Sequence, residues 1–296
     1  MSAFLSPGFP SLDQMLSEPG SSSTVLRIAI GARLRKLRDA AGFSPAQAAV
    51  RIRCHESKIS RLECGKSPLK ERDVLDLLEL YGAHPMEQAA AAELVELSNM
   101  PGWWERYSVV PDWFDKLIGL QEGAEVIWTY EVLLVPGLLQ TQRYAFAVTE
   151  AGFPLADRVD IEARVRLRGE RQKILRRKDG PRLWALIDSG VLERMIGSRA
   201  VMRGQIQHLI NLMNHPQITL QIVPRDFITV GTPVTLIRFP LDLPDIVYLE
   251  NSLGAQYLDR RKETEHFRAL LDPLSTTAHS PEETRRILAA ALKRYQ

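Results

Sequence analysis

Cysteine is almost missing from this sequence, and its scarcity removes two common ways of holding a fold together. Among 296 residues only Cys54 and Cys64 are cysteine. Ten positions apart on one helix, they would stand about 15 Å from each other, too far for a disulfide. A zinc site needs further ligands at close spacing, and His55 alone does not supply them. Two free thiols in a reducing cytoplasm are expected, with no metal and no cofactor. No apolar run approaches the roughly 18 residues that a membrane-spanning helix needs. Gly-x-Ser-x-Gly, HExxH and the phosphate-cradling GxxxxGK[ST] are also missing, and His208, His215, His266 and His279 show no metal-ligand spacing. The chain is therefore expected not to be an enzyme. The N-terminal "MSAFLSPGFPSLDQMLSEPGSSS" has neither a basic start nor a continuous apolar stretch, so it does not read as a signal peptide. Its Pro, Gly and Ser content predicts a disordered tail over 1–24.

What is present is an ordinary globular composition, 45% hydrophobic and 25% charged, in a chain long enough for two domains. The net charge of +2 hides a strong asymmetry. Between Arg27 and Arg72 twelve Lys and Arg face four Asp and Glu, a local charge of +8 that leaves −6 for the rest. Asp73 to Glu96 then carries six carboxylates and no cation. A compact basic segment in a nearly neutral chain implies an anionic partner, nucleic acid first.

Apolar periodicity predicts five short helices over 25–99. Ile30, Leu34, Leu37 and Ala41 form one stripe, ended by Gly42. "SPAQ" then places Ser44 as N-cap, Pro45 at the first helical position and Gln47 at the third, a capping box before a helix through Ile52. A third helix lies in "RIRCHESKISRLECGKSP" and ends at Gly65. A fourth runs from about Glu71 to Tyr81, and a fifth from Pro85 to about Ser98.

Two helices joined by a short turn at Arg53 and Cys54 and wrapped by others make a helix-turn-helix, whose second helix enters the DNA major groove. With Ile59 inward, Ser57 and Arg61 fall about 160° away and Lys58 about 100° away. Arg can pair with guanine O6 and N7, Ser lets backbones approach, and Glu56 can accept from cytosine N4 or favour the helix N-terminus. DNA-contact candidates are Ser44, Gln47, His55, Glu56, Ser57, Lys58, Ser60, Arg61, Lys66 and Lys70; Arg33 and Arg53 are further phosphate-contact candidates. A solvated cationic surface is the competing reading for these residues. Glu63 falls about 40° from Ile59, where a lone carboxylate is costly, so a cation should meet it. Arg38 is the candidate for this structural ion pair.

"IGARLRKLRDAAGFSPAQAAVRIRCHESKISRLECGKSPL" resembles the Cro/C1-type, or XRE-like, helix-turn-helix of phage repressors, without a gap from Ile30 to Ser67. The resemblance implies an internal ion pair at Arg38 and Glu63 and base reading from Glu56, Ser57 and Arg61. Pro45 departs from the family, which often carries a phosphate-binding Gln there; Ser44 or Gln47 would serve instead.

Beyond Pro101 the texture changes. "GWWERY", "VPDWF", "TYEVLLVPGLLQTQRYA", "RLWALID" and "VYLEN" resemble the C-terminal domain of actinobacterial antitoxin-like transcriptional regulators. That likeness implies an α+β domain of uncertain activity and a small acidic partner protein encoded nearby. The residues themselves predict strands in "PRLWALID", "QITLQIV", "VTLIRF" and "IVYLEN", hence a small antiparallel sheet over 100–296. They also predict a long basic helix over 157–178, Ser189 as an N-cap, and a second capping box at Ser280, Pro281 and Glu283. The basic helix reads as solvated or partner-facing, with a second DNA contact as the alternative. The aromatic group Trp103, Trp104, Tyr107, Trp113, Phe114, Trp128 and Tyr130 reads as core. The functional alternative is a ligand or partner pocket, with Trp103, Trp104, Tyr107, Trp113 and Tyr130 as its candidates.

Taken together, these features predict a cytoplasmic, sequence-specific regulator that binds double-stranded DNA through about 55–64. Its second domain would dimerise, sense a ligand or bind a partner protein. The alternative is an antitoxin-like interaction module whose DNA binding is autoregulatory.

Overall fold

Ser22 opens the first helix, its Oγ accepting from the Val25 N–H at 3.2 Å. In the computed structural model, which describes residues 22–227, 231–240, 243–251 and 253–296, α1 spans Ser23–Ala40. Ser23 and Thr24, expected in the tail, are therefore helical, because Ser22 provides the cap. The remainder of that expected tail, 1–21, lies outside the described residues. Four helices follow: α2 Pro45–Arg51, α3 Glu56–Glu63, α4 Glu71–Leu80 and α5 Pro85–Ser98. Their apolar stripes converge, with Ile30, Ile59, Val74, Leu77, Leu78 and Leu94 wholly buried.

One glycine decides how closely two of these helices approach. A Cβ on Gly31 of α1 would stand 2.4 Å from the Leu62 carbonyl oxygen and 2.7 Å from that of Glu63. Hydrogen at this position lets α1 rest directly on the last turn of α3.

The chain divides into two compact units: the first holds the described residues up to Trp103 together with Phe239, Pro240 and Leu243, and the second holds Trp104–Arg238 and Pro244–Gln296. The second unit has α6 Asp112–Glu122, β1 Val126–Glu131, α7 Gln142–Gly152, α8 Arg158–Arg171, β2 Arg182–Asp188, α9 Arg199–Leu212 and β3 Ile218–Val223. It continues with β4 Val234–Arg238, β5 Ile246–Asn251, β6 Gly254–Leu258, α10 Arg261–Thr277 and α11 Pro281–Arg294. The class is α+β as expected, but the sheet is neither small nor antiparallel throughout. Its six strands run in the order β3-β2-β1-β4-β5-β6. β1, β2 and β3 pair in parallel, while β1–β4, β4–β5 and β5–β6 are antiparallel. The physical reason lies in the connections. Helices α7 and α8 carry the chain from β1 to β2, and α9 from β2 to β3, crossovers of the length that parallel pairing requires. Among the described residues, the segments joining β4, β5 and β6 contain no helix.

Alternation along β1 sorts its side chains to two faces. Trp128 and Tyr130 point to the face covered by α10, where they pack with Leu186, Leu236, Val247, Leu271 and Leu274. Trp128 stacks on Trp184 at 4.8 Å. Ile127, Thr129 and Glu131 point to the opposite face.

Three local expectations change. The basic helix is an α-helix only to Arg171 and continues as a 3₁₀ turn, Gln172–Arg176. Several of its cations turn onto their own unit: Arg164 lies 4.1 Å from the Phe153 ring centroid, and Arg177 donates to Glu122 at 2.7 Å. Asp188, not Ser189, is the cap there, accepting from the Gly190 N–H. Ser280 caps α11, but Glu283 pairs with His279 at 3.3 Å instead of closing a capping box.

Gly31→Ala tests the helix approach. Alanine is intrinsically better in a helix by about 1 kcal/mol. The clash with backbone reverses that sign, and we expect a net loss of about 1–3 kcal/mol in denaturant unfolding.

Candidate nucleic-acid interface

The base of α3 is fixed before its outward face is considered. Ile59 and Leu62 are buried beneath it. Glu63, in its last turn, accepts from Arg38 of α1 twice, Nε to Oε1 at 2.6 Å and Nη2 to Oε2 at 2.9 Å. Arg38 and Glu63 are 6% and 9% exposed, so this bidentate pair sits in a dry setting where geometry counts. Arg38 Nη1 also donates to the Phe43 carbonyl at 2.8 Å and to Asp39 at 2.7 Å. One guanidinium thus ties the end of α1, the turn into α2 and the end of α3. Glu63 raises the pKa of Arg38 further above its ordinary value, and burial raises that of the neighbouring Tyr81 hydroxyl.

Helix α2 begins as the sequence reads. Ser44 Oγ accepts from the Gln47 N–H at 3.2 Å, and Gln47 Oε1 accepts from the Ser44 N–H at 2.8 Å. With Oε1 engaged, the outward group of Gln47 is its amide NH₂, a donor suited to phosphate. The turn between α2 and α3 passes through Arg53 at φ +56°. It is the one non-glycine residue with positive φ among the described residues. His55 then caps α3: Nδ1 accepts from the Ser57 N–H at 3.2 Å and lies 3.0 Å from Ser57 Oγ.

Glu56, Ser57, Ser60 and Arg61 are exposed; Ser57 and Arg61 lie about 160° round α3 from Ile59, Ser60 about 100°, and Glu56 about 60°, in the first turn. Arg53, Lys66 and Lys70 are exposed at the two ends of the helix, in the turn before it and the connection after it. Two expected contacts are otherwise engaged. Lys58 Nζ meets Asp73 of α4 at 2.6 Å, and Arg33 makes a bidentate pair with Glu87 of α5, Nη2 to Oε2 at 3.0 Å. Lys58 lies near 100° from Ile59, at the flank of the helix, where α4 reaches it; Arg33 faces α5, the neighbour of α1.

The sequence reading missed Asp73, Gly31 and the capping role of His55. Gly31 carries a signal, since a glycine inside a strongly periodic helix usually has a packing reason. Asp73 carried none, because its partner lies fifteen residues away on another helix.

The five aromatic pocket candidates have different surroundings. Trp104 is buried with Nε1 donating to Asp115, and Tyr130 is buried in the sheet core. Trp113 is half-buried on α6, its carbonyl accepting from the Tyr257 hydroxyl at 2.5 Å. Trp103 and Tyr107 are also half-buried, on opposite sides of the unit boundary.

The arrangement over α1–α5 coincides with a family match: residues 29–94 fit the model described as a helix-turn-helix domain. Residues 114–290, more than half of the chain, fit the model described as a domain of unknown function, DUF5753. The chain belongs to the DUF5753 family. None of the curated proteins and none of the solved structures matches it. A helix-turn-helix followed by DUF5753 supports an XRE-like regulator, and the DNA-binding domain suggests a regulator of transcription rather than an enzyme. No described helix is long and apolar enough to cross a membrane. Among the described residues no cluster of three or more His, Cys, Asp or Glu is placed to hold a metal, and both cysteines are free.

Two substitutions separate scaffold from surface. Glu63→Ala strands Arg38 and should destabilise the chain by about 3 kcal/mol, the low end for a broken buried pair because Asp39 and the Phe43 carbonyl remain; calorimetry or urea unfolding reads this. Arg53→Gly removes the left-handed strain at that turn and should raise stability by about 0.5–1 kcal/mol in the same measurement.

Proposed function

We propose that this protein is a sequence-specific transcriptional regulator that inserts α3 into the major groove of double-stranded DNA. The observation that carries this reading is the division of α3 into two sides. One side is locked by Ile59, Leu62 and the Arg38–Glu63 pair. The other presents Ser57 and Arg61, with Ser60 at the flank and Glu56 in the first turn, all four exposed. Arg61 reads guanine through O6 and N7, the serines allow close approach, and Glu56 accepts from cytosine N4. Lys66, Lys70, Arg53 and the amide of Gln47 meet phosphates on either side and set the register. His55, through its cap on Ser57, holds the start of the reading helix. Two chains acting together would bind half-sites about 34–36 Å apart.

For the second unit the reading is regulatory, in the manner of the actinobacterial antitoxin-like regulators that its motifs resemble. A small acidic protein is the partner which that likeness implies, and a homodimer the simplest assembly. Nothing on the described surface favours the autoregulatory interaction module over the DNA reader.

Selection of bound sequences from a random duplex library tests the proposal; recovery of no preferred sequence at physiological salt would overturn it. On the selected site Arg61→Ala should cost about 1–3 kcal/mol and little on random DNA. Lys70→Ala should weaken both alike and reduce the slope of log K against log salt by about 1. Equal losses on both duplexes for Arg61→Ala would exclude base reading by that residue.

A further inference from the structure

The sheet face opposite α10 is not filled. Between it and helices α6, α7 and α8 lies a cavity of about 460 Å³, the room of roughly 15 liquid waters. Thr129, Glu131, Thr235, Tyr248 and Glu250 form its polar floor. Its wall is the segment Val135–Gln140, within the "VPGLLQT" that stands out in the sequence. This wall is held rigidly. Gln172 Nε2 donates to the Gly137 and Gln140 carbonyls at 3.0 and 2.8 Å, and Gln205 Nε2 donates to the Leu139 carbonyl at 2.8 Å. Every lining residue lies in the second unit.

Arg171 of α8 stands in this cavity in an unusual state. It is 5% exposed, yet its Nε has no hydrogen-bond partner. Among the described residues no carboxylate forms an ion pair with it, and its guanidinium lies 4.8 Å from the Phe114 ring centroid. A guanidinium withdrawn from water with no carboxylate in direct contact is unfavourable. Arg168, one turn earlier, donates instead to Gln140. Nor do the two acids balance the charge. Glu131 is pushed up to about 8, by burial first and by the nearby Glu250 second, so it holds its proton at neutral pH. Glu250 accepts from the Tyr248 hydroxyl at 2.7 Å. The cavity therefore carries two guanidinium charges against one carboxylate.

We propose that the cavity is a binding site for a small organic acid, whose carboxylate pairs with Arg171 and whose apolar body lies against Phe114, Ile127 and Leu138. The Thr129 and Thr235 hydroxyls, 3.0 Å apart across the strands, offer hydrogen bonds to a polar substituent. A monoanion fits better than a phosphate dianion, because one guanidinium is open and Glu250 lies close by. Gly137 is part of the design: a Cβ there would stand 2.6 Å from Arg171 Nη2. This inference goes beyond the DNA-binding reading and is independent of it.

The test uses the full chain and three acids, hexanoate, phenylacetate and indole-3-acetate, with their neutral amides and inorganic phosphate as controls. Thermal shift measures binding, and the Arg171 Nε–H resonance, identified by its loss in Arg171→Lys, reports where it occurs. An acid should raise the melting temperature and move that resonance saturably, while its amide and phosphate do neither. Arg171→Met should remove the response and melt, without acid, no lower than the parent. Should that variant fold poorly, Gly137→Ala pushes aside only the end of a flexible side chain and should weaken binding by about tenfold or more. The proposal is overturned if no acid of the three moves the resonance, if amides or phosphate match the acids, or if binding survives in both variants.

Discussion

The first unit depends on one buried ion pair. Arg38 and Glu63 are expensive to bury apart and tolerable only together, so the end of α1 and the end of α3 are obliged to meet at one place. Because Arg38 also holds the Phe43 carbonyl, the start of α2 is referred to the same point. Apolar contacts from Ile59 and Leu62 supply most of the attraction, but they are non-directional and would permit a rotation of α3 about its axis. The two parallel hydrogen bonds do not permit it. Gly31 supports the same contact sterically, allowing α1 to touch the carbonyls of the turn that carries Glu63. The outward direction of Arg61 is therefore a consequence of what lies inside.

Much of this unit was legible in the sequence. The spacing from Ile30 to Ala41, the Ser44–Pro45–Gln47 cap and the glycines after α1, α3 and α4 are local signals, and local signals survive without knowledge of the fold. The Arg38–Glu63 contact was also readable, because a carboxylate on an apolar stripe demands a partner and few cations lie in reach. The ion pairs of Lys58 and Arg33 were not legible for the complementary reason. A helical wheel shows which side faces away from the core but not which neighbouring helix stands at the flank, and Asp73 and Glu87 come from outside the wheel.

The second unit was less legible. β1 was missed because "VIWTYE" is apolar on one face and mixed on the other, giving no clean alternation against solvent. Its central position makes both faces internal. β6 was missed because Gly254–Leu258 is short and half-exposed. The parallel half of the sheet followed from the long helical crossovers, whose significance appears only once β1 is known to be a strand. Of the aromatic group read as core, Trp128 and Tyr130 do take the packed side of β1, while the odd-numbered Thr129 and Glu131 take the other. The basic helix after Asp157 looked like a surface feature, yet Arg168 and Arg171 point into the protein.

The Lys58–Asp73 contact has a quantitative corollary. With that lysine engaged, the exposed side of α3 retains a single cation, and one bidentate arginine–guanine pair would discriminate by about 1–3 kcal/mol. A genome offers about 10⁶–10⁹ competing positions, far more than one such contact can reject. On the proposed reading, selective occupancy must be multiplied elsewhere, by a second copy on an adjoining half-site or by the bendability of the duplex between them.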